Sequence, residues 1–144
     1  MTDPSRAAAE ALVRRYFDAV NERRLDDLDA VFPPDFVSHL RVGDVHGLAA
    51  FKELIRIVYA AFPDVMWTSI EEIYTPERVV IRYFFAGTQV GPFMGIPPSH
   101  RFVRVDACEV MVLRDGVVPE IWNYADLMGL AAQVNAVNPL ALRV

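Results

Sequence analysis

The chain of 144 residues contains one cysteine, Cys108, so neither an internal disulfide framework nor a cysteine-based zinc site is available to it. Its three histidines, His39, His46 and His100, make no i, i+4 or H-x-H pair, and no metal site is expected. No Lys/Arg cluster interrupts a net charge of −5, which argues against nucleic acid or an anionic membrane surface as a partner. No apolar run approaches membrane-spanning length. The start, MTDPSRAAAE, lacks the basic and apolar regions of a secretory signal, so a soluble cytoplasmic protein is expected. Phosphate-binding loops, dinucleotide fingerprints, G-x-S-x-G elbows and Cys-His nucleophiles are also missing, and no cofactor is implied.

What remains is apolar and patterned. Hydrophobic residues make up 53% of the chain and charged residues 23%, a globular composition at a length suited to a single domain, residues 1–144. Asp3-Pro4 reads as a helix start, followed by a stripe of Leu12, Val13, Tyr16, Phe17 and Val20. A short second helix, LDDLDAVF, ends at Pro33-Pro34, and DFVSHL reads as an extended segment. Gly47 opens a third helix whose apolar face is Phe51, Leu54, Ile55, Val58 and Phe62. Beyond Pro63 the period changes from 3.6 to 2, and four antiparallel strands follow, interrupted by the Gly/Pro-rich stretch GPFMGIPPSH. Asp126 is the expected cap of a last helix. Helices first and strands after give an α+β domain with helices on one face of a curved sheet.

The stretch RVDACEVMVLRDG carries the main functional question. It alternates as a strand and ends in the hairpin signal Asp115-Gly116. One face holds Val105, Ala107, Glu109, Met111 and Leu113, so a carboxylate sits among apolar side chains. Such a carboxylate has its pKa raised and can transfer protons near neutral pH. The competing reading is an internal ion pair with Arg82 or Arg104 on neighbouring strands, or a face open to solvent. Asp106 falls on the opposite face and does not pair with Glu109.

The pieces NERRLDDLDAVFPPDFVSH, GPFMGIPP and the closing DG…W…AD…GL, in that order, resemble the SnoaL-like polyketide cyclases of the nuclear transport factor 2 and ketosteroid isomerase superfamily. The resemblance implies a cone: a strongly curved antiparallel sheet around an apolar pocket, with helices covering its concave face. It also implies an acid/base residue at the position of Asn123 and histidines near Ile121 and Glu109. Here those positions hold an amide, an isoleucine and a glutamate, so the proton-transfer group on this reading is Glu109. His39 matches a family position near the pocket mouth and is a candidate assistant in proton transfer.

Asn123 is a candidate oxyanion contact, as is Tyr124. Strand register decides which of them faces the pocket. A plain two-residue turn pairs Glu109 with Trp122 and sends Glu120, Trp122 and Tyr124 inward, whereas a bulge in the last strand turns Asn123 inward; the sequence leaves both open. Tyr16, Phe17, Phe51, Leu54, Met111, Trp122 and Tyr124 are candidate walls for a small apolar or polycyclic ligand, with plain core packing as the alternative. His46 and His100 read as surface or lid residues.

Two functions compete. The first is an enzyme of secondary metabolism that works without a cofactor. It removes a proton next to a carbonyl and closes a ring by intramolecular aldol chemistry, with isomerisation, dehydration and epoxide opening as mechanistic neighbours. The second is a ligand-binding module that kept the cone and lost the acid. In the strand RVVIRYFFAGTQV both faces are largely apolar, and helices can cover only one. A homodimer through the outer face is therefore expected.

Overall fold

The computed structural model of the protein describes residues 3–136; positions 1–2 and 137–144 of the expected domain lie outside the described residues. The first helix, α1 (Pro4–Asn21), begins where the Asp3 carboxylate accepts from the Ser5 N–H and Pro4 fills the first turn, where a missing N–H is harmless. It buries Val13, Tyr16, Phe17 and Val20. The expected second helix is a 3₁₀ stretch, Leu25–Ala30, which with the two residues after it sinks Leu25, Leu28, Val31 and Phe32 into the core.

The segment after Pro34 is more regular than the sequence suggests. It forms a hairpin of β1 (Val37–Leu40) and β2 (Gly43–His46), with only Arg41 and Val42 in its turn. Helix α2 (Leu48–Ala61) follows. The four expected strands are β3 (Met66–Tyr74), β4 (Arg78–Thr88), β5 (Phe102–Arg114) and β6 (Val117–Ala125), and α3 (Leu127–Gln133) closes the described chain. The Asp126 carboxylate caps α3 by accepting from the Gly129 N–H. The strands form one sheet in the order β2-β1-β6-β5-β4-β3. Pairing is antiparallel except between β1 and β6, which run parallel, so the sheet is mixed rather than purely antiparallel. A parallel neighbour needs a long crossover, and the whole of α2 to β5 supplies it.

Period-two alternation assigns the faces. Val79, Ile81, Tyr83 and Phe85 of β4 and Val103, Val105, Ala107, Glu109 and Met111 of β5 are all buried on the inner face. α1, the 3₁₀ stretch and α2 pack over that face and share its core. At Gly87 the end of α2 comes so close to the sheet that an added Cβ would lie 3.1 Å from the Val65 Cα and 3.2 Å from the Phe62 Cβ. A side chain at 87 would make these neighbours shift, so glycine suits the close approach. Irregularities in β3 (Ser69/Glu71) and at the β5–β6 pairing (Val112/Arg114) break the ladder, as bends of a curved sheet do.

Candidate active site

The turn Asp115-Gly116 is the two-residue hairpin the sequence signals, with φ of 53° and 77°, and Arg114 pairs with Val117 across it. Two steps later Val112 pairs with Glu120, so β6 carries one extra residue around Val118-Pro119. Proline cannot donate to a ladder, and a bulge is one of the few places a strand tolerates it. This single insertion sets the site. It brings Asn123, not Trp122, opposite Glu109, and turns the Asn123 side chain to the inner face.

Glu109 is 4% exposed. Its Oε1 accepts three hydrogen bonds: from the Tyr16 hydroxyl on α1 at 3.1 Å, the Tyr83 hydroxyl on β4 at 3.2 Å and the Asn123 amide on β6 at 3.1 Å. The same amide nitrogen donates to the Tyr83 hydroxyl oxygen at 2.8 Å. Tyr83 therefore accepts from one neighbour and donates to the other. The second carboxylate oxygen, Oε2, is buried and has no hydrogen-bond partner among the described residues. Burial pushes the Glu109 pKa up to about 7, against the pull of Asn123, Tyr16 and Tyr83, whose hydrogen bonds favour the carboxylate. Both tyrosines are held well above their ordinary range, first by burial and then by the charge of Glu109, so they remain donors at neutral pH.

The ion-pair reading of Glu109 is corrected. Arg82 and Arg104 sit on the outer face and engage Glu71 at 3.2 Å and Asp106 at 3.0 Å. All three donors to Glu109 are neutral, so among the described residues no cation offsets a full negative charge.

Glu109 lies on the wall of a cavity of about 360 Å³ that also includes Phe51, Leu54, Trp67, Tyr83, Phe85 and Asn123, with Arg41 and Met94 among its more exposed members. Apart from Ser38, Arg41, Tyr83, Glu109 and Asn123 the wall is apolar. Phe51 and Leu54 are thus where the sequence puts them. Tyr16 touches Glu109 instead of forming the cavity wall. Phe17 packs edge-on against Tyr83 and borders a separate, open groove between α1 and β3. Met111 is fully buried core.

Trp122 and Tyr124 are corrected outright: they are 38% and 45% exposed on the outer face, a consequence of the bulge. His39 is corrected too, because β1 pairs it with Trp122, on the same outer face. Its ring stacks on the indole at 3.9 Å, with Nδ1 at 2.9 Å from Asp44 and Nε2 at 3.3 Å from Glu120. Burial lowers its pKa, but the two carboxylates outweigh burial and raise it. The Asn123 amide donors are committed to Glu109 and Tyr83, which makes Asn123 a holder of the carboxylate. The GPFMGIPPSH stretch contributes Phe93 and Met94 to the cavity wall. It is pinned from beneath by the buried Gln89, whose side chain bonds Ile96 O, Pro97 O and the Ser99 N–H.

Sequence reasoning missed Tyr83 and Arg41 as site residues. The alternation of RVVIRYFF does put Tyr83 on one face with Val79 and Ile81. However, the long connection from β4 to β5 carries no register signal to bring it beside Glu109.

The profile of the family described as SnoaL-like polyketide cyclase matches residues 10–134. The chain belongs to that family. A curated relative, nogalonic acid methyl ester cyclase of Streptomyces nogalater, is 29% identical over 121 residues, covering 81% of this chain and 89% of its own. Among solved structures, TsrD from Streptomyces laurentii superposes with a TM-score of 0.85 at 28% identity, covering 95% of this chain and all of that one. IdmH from Streptomyces antibioticus, a putative polyketide cyclase, gives a TM-score of 0.77 at 27% identity, covering 88% and 97%. Both solved structures thus share the fold described above. No helix among the described residues is long and apolar enough to cross a membrane.

Proposed function

We propose that this member of the family is a cyclase in which Glu109 transfers the proton. The observation that carries the reading is one buried carboxylate, on a residue lining the cavity, whose Oε1 is held by three neutral donors while Oε2 has no hydrogen-bond partner among the described residues. Burying such a group costs folding energy, and a module that merely holds an apolar ligand has no use for it.

In the proposed step Oε2 removes a proton from a carbon next to a carbonyl, and the C–H electrons become an enolate. The enolate carbon attacks a second carbonyl carbon of the same molecule and forms the ring C–C bond. The electrons of that second carbonyl move to its oxygen, which takes back the proton from Glu109. The residue ends as it began, and product and substrate have equal mass. Tyr16, Tyr83 and Asn123 fix the carboxylate, and the apolar wall orients a flat, poly-carbonyl substrate.

The first substrate to test is nogalonic acid methyl ester, taken from the relative's name, with cyclisation followed by chromatography at constant mass. Activity should rise with pH through about 7, and Glu109→Gln should slow it by a factor of about 10² or more. A Glu109→Gln enzyme that cyclises at the wild-type rate sinks the assignment. A rate that falls through pH 7 would mean that Glu109 acts in its protonated form.

The active unit in this reading is a homodimer packed through the outer sheet face. Met66, Ile73, Phe102, Trp122 and Tyr124 are exposed there, a density of apolar side chains that supports a covered face.

A further inference from the structure

We propose that the Ser38 hydroxyl donates a hydrogen bond to the substrate carbonyl whose oxygen gains charge when Glu109 takes the proton; the inference rests on the cyclase reading above. Ser38 stands on β1, between β2 and β6. It pairs with Ile121, which is fully buried two positions before Asn123 on the inner face of β6. The next residue, His39, takes the outer face beside Trp122, so alternation turns Ser38 inward. Its Oγ is bonded directly to Cβ, and no rotamer carries it off that face. Ser38 is 1% exposed and belongs to the wall of the Glu109 cavity.

Among the described residues three polar side chains are buried: Ser38, Gln89 and Glu109. Gln89 spends its amide on the Gly/Pro-rich stretch, and Glu109 Oε1 is held by three donors. The Ser38 hydroxyl takes no partner among the described residues, yet the enclosed atoms that lack one are Glu109 Oε2 and His39 Nε2. Ser38 Oγ is therefore open to the cavity and not sealed in the packing. Alanine would fill the same place with no polar atom to satisfy, so the hydroxyl is explained by what enters the cavity. Other donors on the wall are spent or point elsewhere. Tyr83 donates to Glu109, and the Asn123 amide donates to Glu109 and Tyr83. Arg41 stacks on Tyr124 of the outer face, and half-buried Trp67 also borders the groove between α1 and β3. Two strand spacings and one two-residue step separate Ser38 from Glu109, roughly 12 Å between Cβ atoms on a flat sheet and less on a curved one. The Glu109 side chain, the carbon it deprotonates, the adjoining carbonyl and one hydrogen bond to Ser38 together cover that span. The hydroxyl keeps its own proton and offers a fixed dipole to an enolate oxygen that the apolar wall cannot solvate.

9-Fluorenone, a flat ketone with one carbonyl, is the binding probe, and fluorene, which lacks the oxygen, is its control. In infrared spectra of the complex with the intact wild-type protein, the carbonyl band should lie below its position in hexane, a measurement that needs no variant to fold. Ser38→Ala should return the band towards the hexane position and weaken fluorenone binding about fivefold, while fluorene affinity stays within about twofold. Ser38→Thr keeps the hydroxyl in a residue that suits a strand, and it should keep the lowered band. On nogalonic acid methyl ester, Ser38→Ala should lower kcat about 10²-fold while the rise of activity through pH 7 persists. A carbonyl band that Ser38→Ala leaves unmoved overturns the proposal, as does failure of fluorenone to bind or an unchanged kcat. An equal loss for fluorenone and fluorene also overturns it, since Ser38 would then act only through packing. Fluorenone has no proton next to its carbonyl for Glu109 to take, so the binding and spectroscopic results can fail while the kinetic effect of Glu109→Gln stands, and the reverse also holds.

Discussion

Replacing Glu109 by glutamine keeps the side chain's shape and removes its titration, and the pH dependence of stability then isolates what burial of the acid costs. The carboxyl titrates at 4.5 when unperturbed and at about 7 in the folded protein. A raised carboxyl pKa means that the folded state holds the proton more tightly than the unfolded chain. Stability attributable to Glu109 is therefore greatest when it is protonated and is lost as pH rises from about 4.5 to about 7, then stays low. At about 1.4 kcal/mol per pH unit the full span is about 3 kcal/mol, and the part between pH 5 and pH 8 is about 2.5 kcal/mol. In glutamine, Oε1 can still accept from Tyr16, Tyr83 and Asn123, while the new NH₂ lacks a partner at a cost of about 1–3 kcal/mol that does not change with pH. The difference in stability between variant and wild type should thus shift in favour of Glu109→Gln by about 2.5 kcal/mol from pH 5 to pH 8, or about 5–10 °C in Tm for a chain of this size. His39, whose pKa is also raised, loses stability as pH rises through its folded value, but it is present in both proteins and cancels. Thermal melts at half-unit pH steps are the assay. Parallel curves for the two proteins would refute the reasoning, because they would show that Glu109 does not titrate near neutrality.

Asn123→Asp places a second carboxylate opposite Glu109, where the Asn123 amide now donates at 3.1 Å. Like charges so close cannot both ionise cheaply, so the variant should lose about 2 kcal/mol or more above pH 8 while remaining near wild type at pH 5, as read by melts. Light scattering at micromolar concentration should give a dimer for wild type. Phe102→Asp, at a side chain 69% exposed on the outer face, should give a monomer; a monomeric wild type ends the dimer reading.

Most of the fold was legible because each element carries a local signal. The Asp3-Pro4 and Asp126 caps, the change of period after Pro63 and the Asp115-Gly116 turn each act over a few residues, and the structure uses each as the sequence suggests. The inner face of β5, Glu109 included, followed from alternation alone. The β1–β2 hairpin did not, since strands of four residues are too short for a periodic pattern. Its parallel pairing with β6 depends on contacts some 80 positions apart. That pairing is what carries His39 to the outer face beside Trp122. The placement was closed to a reading that had an extended segment at DFVSHL but no partner strand for it.

The register of β6 is the instructive case, since one residue of slip exchanges the whole set of side chains between cavity and exterior. The signal for it, Pro119 inside an otherwise regular strand, was present but ambiguous, because proline fits an edge strand as well as a bulge. Once the bulge is fixed, Asn123, the position for which the resemblance implies an acid, and Glu109 become a directly opposed pair. In such a pair the Cβ atoms stand about 5 Å apart, close enough for either side chain to reach the same space. A carboxylate at 109 with an amide at 123 can therefore present an acid to the same cavity as a carboxylate at 123 would. What changes is its surroundings: on β5 the acid reaches the Tyr16 hydroxyl from α1 and the Tyr83 hydroxyl from β4, and burial sets its pKa near neutrality. On the proposed function, an amide at 123, where the resemblance implies an acid, is better explained as a move of the acid across one rung of the ladder than as its loss.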